Sequence, residues 1–280
     1  MSLLSSEQLV VAIHERGIDA LRVRRGRLPR SPASIVERQR LDVDTAPAEP
    51  GDAAPWQRSV ALLRELGSTG VRQLHLVVSN HFVRYQLLPW DSVVACNGDT
   101  QALARARFQL AFGDAAAAWH VVADAPRWRA ASLAAALDGG LLAAASEMAA
   151  ASGMQIASVR PHLFAALDHW QAGGRRKVPA AGWFAVFEPG RLSVLGSAPG
   201  GALSLHNMRL HAPDALLPTL QQCVAADRLK SALDGDVYLQ AAGWSGDDAA
   251  LATASVHRVD GQASVADGDF GQAMAACGSL

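Results

Sequence analysis

The chain has few cysteines, almost no net charge and no long apolar run, and each shortage excludes a class of protein. Its three cysteines, Cys96, Cys223 and Cys277, are widely spaced and form no CxxC pair, so neither a disulfide framework nor a cysteine-bound metal is expected. A formal net charge of −1 gives no general attraction to nucleic acid or anionic lipid. No run of about 18 strongly apolar residues occurs, so no transmembrane helix is predicted.

The composition that remains is that of a folded protein with a large core. Half of the 280 residues are apolar and only 18% are charged, which argues against global disorder. This length accommodates one large domain or two of ordinary size. The N-terminus lacks a basic region followed by an apolar segment and a cleavage site, so a cytosolic location is expected.

Two stretches of the sequence share a pattern that is typical of a three-stranded meander. The first runs from residue 8 to about 42 and the second from 182 to about 210. Each begins with a β-rich apolar run, reaches an acidic–x–Gly turn, and returns through an alternating strand. The turns are Glu15-Arg16-Gly17 and Glu188-Pro189-Gly190. The repeat predicts a two-lobed molecule in which both turns face a cleft between related halves.

Helices and strands alternate through the rest of the chain, which predicts an α/β (α+β) fold of mixed sheets with helices on their faces. A Gly-rich linker at 171–181 predicts a first lobe at 1–171 and a second at 172–280. The predicted helices cover 56–66, 99–112, 141–151, 161–170, 214–233 and 270–277. The predicted strands outside the meanders cover 73–80, 82–90, 117–123, 132–137, 154–159 and 237–243.

This order of elements resembles the two-lobed actin-like ATPase (ASKHA) fold, a duplicated ribonuclease H-like fold. Within it, the chain resembles assembly proteins of type IV pilus and type II secretion systems, namely PilM and the cytoplasmic domain of GspL. Three stretches carry the resemblance: LHLVVSNHFVRYQLLPW followed by the helix ALARARFQLAFG, SEMAAASGMQIASVRPHLFAAL, and DFGQAMAACG.

The resemblance implies a nucleotide pocket built on two phosphate-binding hairpins. In each hairpin of the family a carboxylate holds magnesium through water, a glycine lets the backbone approach phosphate, and a hydroxyl follows. By position, the pocket would contain Glu15 and Gly17, Glu188 and Gly190, and Gly243 near the adenine. Both hydroxyls are missing here, and we therefore predict a vestigial pocket, no catalytic residues, no enzyme activity and no cofactor or metal.

The structural alternative for both turns is an ordinary hairpin, in which the glycine adopts a positive φ and the glutamate faces solvent. Two alternative functions also remain. One is an active actin-like ATPase or kinase that binds ATP with magnesium, and the other is a small-molecule binding module that uses the cleft between lobes.

The resemblance also implies partners. It predicts a non-catalytic cytoplasmic scaffold, peripheral to the inner membrane, that binds the cytoplasmic tail of an inner-membrane assembly protein and a motor ATPase. Aromatic and arginine side chains often dominate such contacts, so the candidate partner-binding residues are Phe82, Arg84, Tyr85 and Arg105. The alternative for Phe82 and Tyr85 is packing within the sheet.

Two further groups of residues suggest chemistry only weakly. Ser79-Asn80-His81 places a nucleophile near a base, but neighbouring strand residues point to opposite faces, which disfavours catalysis. His206 and His211 are five residues apart beside a strand end, and a metal site there is not expected.

Overall fold

Thirteen strands and six α-helices make up the described part of the chain. The computed structural model describes residues 7–24, 34–43, 54–66, 70–91, 99–126, 128–172, 181–231, 233–241 and 244–259. The strands are β1 (Glu7–His14), β2 (Gly17–Arg24), β3 (Ser34–Asp42), β4 (Gln73–Val78), β5 (Val83–Leu88), β6 (Trp119–Ala123), β7 (Ser132–Asp138), β8 (Gln155–Pro161), β9 (Gly182–Glu188), β10 (Arg191–Ala198), β11 (Gly201–Arg209), β12 (Asp236–Gln240) and β13 (Val256–Arg258). The α-helices are α1 (Gln57–Ala61), α2 (Thr100–Phe112), α3 (Gly139–Ala151), α4 (His162–Ala172), α5 (Leu216–Ser231) and α6 (Asp248–Thr253), and short 3-10 helices cover Leu62–Leu66, Gly113–Ala118 and Pro213–Ala215.

Contacts within the chain group it into two compact units. Unit 1 contains Met1–Phe82 and Gly140–Arg176, and unit 2 contains Val83–Gly139 and Lys177–Val265. One change of unit, at 176/177, falls in the predicted linker, whereas the segment 83–139 is grouped with unit 2 rather than with its sequence neighbours. This grouping shows only which segments pack together. The lobes predicted at 1–171 and 172–280 therefore stay a prediction.

Unit 1 is built on a five-stranded mixed sheet with the order β3-β2-β1-β4-β8. The first three strands are antiparallel, and β1, β4 and β8 are parallel to one another. From Gln8 to His14 every residue of β1 is buried, as expected for a central strand covered on both faces. Helix α3 buries Leu141, Ala145 and Ala149, which are spaced four apart and form one face of the helix.

Unit 2 contains a second five-stranded sheet and a smaller three-stranded one. The larger sheet has the order β11-β10-β9-β12-β13, with β9, β12 and β13 parallel, and its core includes Trp183, Leu192, Leu216 and Leu220. The smaller sheet has the antiparallel order β5-β7-β6, and Phe108 of α2 packs against its face.

The two meanders predicted from the sequence are both present. The orders β3-β2-β1-β4-β8 and β11-β10-β9-β12-β13 match strand for strand, with a parallel strand added beside the first strand of each meander. This equivalence confirms mixed sheets and a repeated supersecondary unit.

Several predicted boundaries differ from the observed ones. The predicted helix 56–66 is a short α-helix that continues as a 3-10 helix, and the predicted strand 117–123 begins only at Trp119, after the 3-10 helix Gly113–Ala118. Pro161 is the last residue of β8 rather than the first of α4. The sequence did not predict α6 or β13, and the predicted helix 270–277 lies outside the described residues.

Candidate functional site

The first hairpin turn consists of Glu15 and Arg16, both of which are exposed. Strand pairing sets His14 opposite Gly17, so Gly17 is the first residue of β2 and not part of the turn. Its φ is +146°, and a Cβ at this position would overlap the carbonyl oxygen of Leu41 on β3. The backbone conformation and the close approach of β3 therefore both require glycine here, without any need for a phosphate.

The residues after β4 lie beside this turn because β1 and β4 are parallel and their carboxyl ends meet. The N–H of Ser79 donates to the carbonyl oxygen of Ile13 at 2.9 Å, and Ser79 Oγ lies 3.0 Å from His81 Nδ1. His81 Nε2 in turn lies 3.4 Å from Glu15 Oε2. This chain of polar atoms connects the hairpin turn to the end of β4.

The serine–histidine contact corrects the argument made from the sequence. The sequence predicts a strand over 73–80, but β4 ends at Val78 and the chain turns there, so that Ser79 and His81 meet within the turn. Ser79 is fully buried, at 0% exposure, so its hydroxyl cannot meet an external substrate. The side chain of Asn80 is also buried, and its Oδ1 accepts a hydrogen bond from Leu163 N in the first turn of α4 at 3.2 Å.

A buried ion pair next to the first turn was missed by the sequence analysis. Asp19 on β2 is buried, Arg40 Nε donates to its Oδ1 at 2.6 Å, and His14 Nε2 lies 3.4 Å from its Oδ2. Asp19 and Arg40 are direct partners in the β2–β3 register, and opposite charges on paired strands were the signal available in the sequence. Ser59 Oγ donates to the carbonyl oxygen of His14 at 2.6 Å and ties α1 to the same strand end.

The second hairpin turn has a different register from the first. Glu188 pairs with Arg191, so the two turn residues are Pro189 and Gly190, and Glu188 is the last residue of β9. In the first hairpin the glutamate is in the turn, whereas here it is in the strand. The two acidic–x–Gly motifs, which coincide in sequence, are therefore offset by one residue in structure, and the offset moves the glutamate from solvent to the interior.

Glu188 is 1% exposed, which contradicts the solvent-facing glutamate of the ordinary-hairpin alternative. Burial raises the pKa of the Tyr85 phenol well above 10.0, and the Glu188 carboxylate adds to that increase while Arg191 opposes it. Arg191 Nη1 donates to Asn207 Oδ1 at 3.2 Å, and Asn207 Nδ2 donates to the carbonyl oxygen of Val83 at 3.1 Å. Within unit 2, the strand end of the second hairpin is therefore part of a polar network that includes β5 and β11.

A second buried carboxylate in unit 2, Asp227 of α5, was also missed. Asp227 accepts hydrogen bonds from Trp183 Nε1 at 2.9 Å, from His206 Nε2 at 2.8 Å and from Ser204 Oγ. Gly196 makes room for this cluster, because a Cβ there would overlap Ser204 Oγ. The helical spacing of the sequence does not indicate that Asp227 is buried, because an aspartate within an amphipathic helix is normally assigned to the solvent face.

The residues predicted to bind a partner lie on different elements. Arg84 and Tyr85 are consecutive on β5 and so point to opposite faces of its sheet. Arg105 is exposed on α2, which lies on the Arg84 side because Gln86, on that same side, donates to the carbonyl oxygen of Arg107 at 3.4 Å. Phe82 is half-buried and belongs to unit 1.

Some predicted positions lie outside the part of the chain that the structure describes. These are Gly243 and the C-terminal stretch 269–278. Among the described residues, no group of three or more His, Cys, Asp or Glu side chains is arranged to hold a metal ion. No helix within the described ranges is long and apolar enough to cross a membrane.

Comparisons with known proteins identify the fold. No protein-family model matches the chain, and no curated protein matches its sequence. A chain of the PilM–PilN type IV pilus biogenesis complex is similar over 98% of this chain and 97% of its own, with 15% identity and a TM-score of 0.65. This protein has the actin-like fold.

Two other solved structures support the same conclusion. The cytoplasmic domain of EpsL, an inner membrane component of the type II secretion system of Vibrio cholerae, is 12% identical over 85% of this chain and 82% of its own, with a TM-score of 0.52. A Bacteroides thetaiotaomicron protein with an actin-like ATPase fold and unknown function is 9% identical over 96% of both chains, with a TM-score of 0.59. The predicted resemblance to PilM-like actin-like proteins is confirmed at the level of fold.

Proposed function

We propose that this protein is a non-catalytic, cytoplasmic, actin-like component of a type IV pilus or type II secretion assembly platform. Its role would be to bind the cytoplasmic tail of an inner-membrane assembly protein. Because a fold alone does not fix function, the proposal depends on the chemistry of the two hairpins together with the extent of the structural similarity.

The proposal that the protein is not catalytic is supported mainly by the residue that follows the glycine in each hairpin. In the first hairpin this residue is Ile18, whose side chain is fully buried. In the second it is Arg191, whose guanidinium is directed to Asn207. Neither position offers a hydroxyl to a phosphate, and Pro189 has no backbone N–H to donate.

The two glutamates also differ in their surroundings. Glu15 is in the turn and pairs with His81, whereas Glu188 is buried at a strand end near Tyr85 and Arg191. The fold family uses two matching carboxylates, and the one-residue offset removes that match. The different surroundings of the two carboxylates support loss of nucleotide hydrolysis.

The assembly role draws its support from the similarity in fold. The match to the PilM–PilN complex covers nearly the whole of both chains, and EpsL is described as an inner membrane component of a secretion system. By this likeness in fold, the partner of this chain would be an inner-membrane protein with a short cytoplasmic segment. A motor ATPase stays a further predicted partner.

Hydrolysis is tested by incubating the purified protein with ATP and magnesium and measuring the release of phosphate. We expect no turnover above that of a buffer control, and no difference between the wild type and the variants Glu15→Gln and Glu188→Gln. Magnesium-dependent turnover that both substitutions abolish would refute the scaffold proposal in favour of an active actin-like ATPase.

Partner binding is tested with synthetic peptides that correspond to the cytoplasmic tails of inner-membrane proteins encoded near this gene. Calorimetry is done with the wild type, with Arg84→Ala and Arg105→Ala, and with Arg107→Ala as a matched control on the same helix. Arg107 is also exposed but is rotated by about 200° from Arg105 around the helix.

We expect one tail to bind, Arg84→Ala or Arg105→Ala to weaken its binding, and Arg107→Ala to leave it unchanged. Equal affinity in the wild type and all three variants would exclude the predicted site. Failure of every tail to bind would reject the pilus or secretion assignment.

A further inference from the structure

The outer edge of β6 in unit 2 is the feature from which a further inference follows. Among the described strands, β6 lies at the end of its sheet and pairs only with β7. Residues on an antiparallel strand alternate in the direction of their backbone groups, so every second residue of β6 directs its N–H and C=O away from β7. Such groups on an edge strand are a template for pairing with another chain.

One side chain occupies this edge. Gln101, in the first turn of α2, donates from Nε2 to the carbonyl oxygen of Val121 and accepts at Oε1 from the N–H of Ala123 at 3.1 Å. The two backbone groups belong to residues i and i+2 of the same strand, and both point away from β7. A single amide therefore satisfies the donor and the acceptor on either side of Val122.

This pattern is the one that a residue of a parallel strand would form. In a parallel pair, one residue donates its N–H to a carbonyl on the neighbouring strand and accepts at its C=O from the N–H two residues further on. The carboxamide of Gln101 presents the same donor and acceptor in the same order. It thus takes the place of one residue of a fourth strand, which this three-stranded sheet does not have among the described strands.

The side chains along the edge would favour association if the edge were open. Val122 is 55% exposed and points to the face opposite α2, because its neighbours Val121 and Ala123 pack with Phe108. At the start of the strand, the exposed Phe112 lies 5.0 Å from Trp119 between ring centroids. At five residues β6 has the short length that protects many edge strands, but it contains no Lys, Arg, Asp, Glu or Pro, and Val122 is exposed at its centre.

We propose that Gln101 closes the outer edge of β6 and prevents copies of this chain from pairing with each other through that strand. The molecule that Gln101 keeps from pairing with β6 is a second copy of this chain. Every copy has the same β6 edge and the same exposed Val122, so the concentration of this competing edge equals that of the protein. The glutamine thus acts as an intramolecular block, which is independent of the proposed assembly role.

The test compares Gln101→Ala with the wild type by sedimentation velocity over a range of protein concentrations. We expect the weight-average mass of Gln101→Ala to rise with concentration above that of the wild type. We also expect hydrogen exchange at the Ala123 amide, measured at the lowest concentration, to become about tenfold faster, which corresponds to loss of one hydrogen bond.

Two further variants make the result specific. Gln109→Ala makes the same chemical change at an exposed position of the same helix and should behave as the wild type. Val122→Lys, added to Gln101→Ala, puts a charge at the centre of the edge and should return the mass to the wild-type value. If Gln101→Ala does not fold, Gln101→Ser replaces it, since the serine hydroxyl is too short to bridge the Val121 carbonyl and the Ala123 amide and adds no charge to the edge.

The proposal is overturned if the folded variant keeps the wild-type mass at every concentration, which would mean that Gln101 only fastens α2 to β6. It is also overturned if exchange at Ala123 is unchanged, since the hydrogen bond would then not protect the edge in solution. Self-association that Val122→Lys does not reverse would place the contact elsewhere and contradict it as well.

Discussion

Removal of the Asp227 carboxylate is the perturbation for which the structure gives the clearest expectation. Asp227 is 2% exposed and accepts hydrogen bonds from Trp183, Ser204 and His206. In Asp227→Ala the indole N–H of Trp183 stays buried, because Trp183 is 1% exposed, and it has lost this acceptor. Ser204 and His206 are half-buried and can recover hydrogen bonds to water.

The expected loss in the free energy of unfolding follows from the different burial of these three donors. An unsatisfied buried donor costs about 2 kcal/mol, and the space left by the carboxylate adds about 1 kcal/mol. We therefore expect Asp227→Ala to lower the free energy of unfolding by about 3 kcal/mol, a large part of a typical total of about 10 kcal/mol. Asp227→Asn keeps the volume and one acceptor, so its loss should be smaller.

Equilibrium urea unfolding followed by far-UV circular dichroism measures this change. Asp234→Ala is the matched control: Asp234 lies just beyond the same helix, its side chain is 91% exposed, and its ion pair with Arg228 at 3.5 Å is open to solvent. The control should unfold as the wild type does. A loss below about 1 kcal/mol in Asp227→Ala would refute the reasoning, because it would mean that the Trp183 N–H is readily satisfied without the carboxylate.

Three further predictions concern single residues. Gly17→Ala should lower the free energy of unfolding by about 3 kcal/mol, because it combines a positive φ with overlap on Leu41, whereas Gly200→Ala, at an open position, should change it little by the same urea measurement. In a variant that keeps Cys223 alone, the native thiol should react with a disulfide reagent at least about a hundredfold more slowly than a free thiol at neutral pH, since burial chiefly, with Asp227 adding, raises its pKa from 9.0 to about 11; equal rates would contradict this. In Tyr238→Phe, ultraviolet titration should show Tyr85 ionising well above pH 10.0, and Glu188→Gln should move that titration down. Because the folded-state pKa is the raised one, the stability that Tyr85 contributes is complete below pH 10.0 and is lost as the pH rises above it, so Tyr85→Phe should flatten the alkaline limb of the stability profile; an unchanged limb would contradict this.

The sequence predicted the fold where a periodic pattern coincided with a turn signal. Both meanders and the helix at Thr100–Phe112 were predicted in this way, and their apolar periods are those of the structure. The repeat was visible because three strands in a row carry a distinctive pattern. The short elements α6 and β13 were not predicted, because six and three residues are too few for a period to be recognised.

The candidate site was less predictable than the fold, for reasons of register. An acidic–x–Gly motif specifies the types of residue in a hairpin but not which of them pairs across it. Pairing of His14 with Gly17 and of Glu188 with Arg191 decides whether the glutamate is exposed or buried, and depends on the whole strand rather than on the motif. Likewise, Asp227 lies 44 residues from Trp183, a separation over which local patterns carry no information.

The grouping of 83–139 with unit 2 has a consequence for how the chain is made. Strand β4 pairs with β8, so the sheet of unit 1 cannot be completed until residue 161 has been synthesised. The segment between these strands contributes β5, whose Val83 carbonyl accepts a hydrogen bond from Asn207 of β11, and Ala131, which forms an isolated bridge with Ala202 of β11. On the ribosome this segment therefore emerges before its partner exists and must wait for at least another 60 residues or so, exposing β5 meanwhile. A fragment that ends at the linker would keep that exposure permanently, so expression of the first 171 residues alone should give aggregated material.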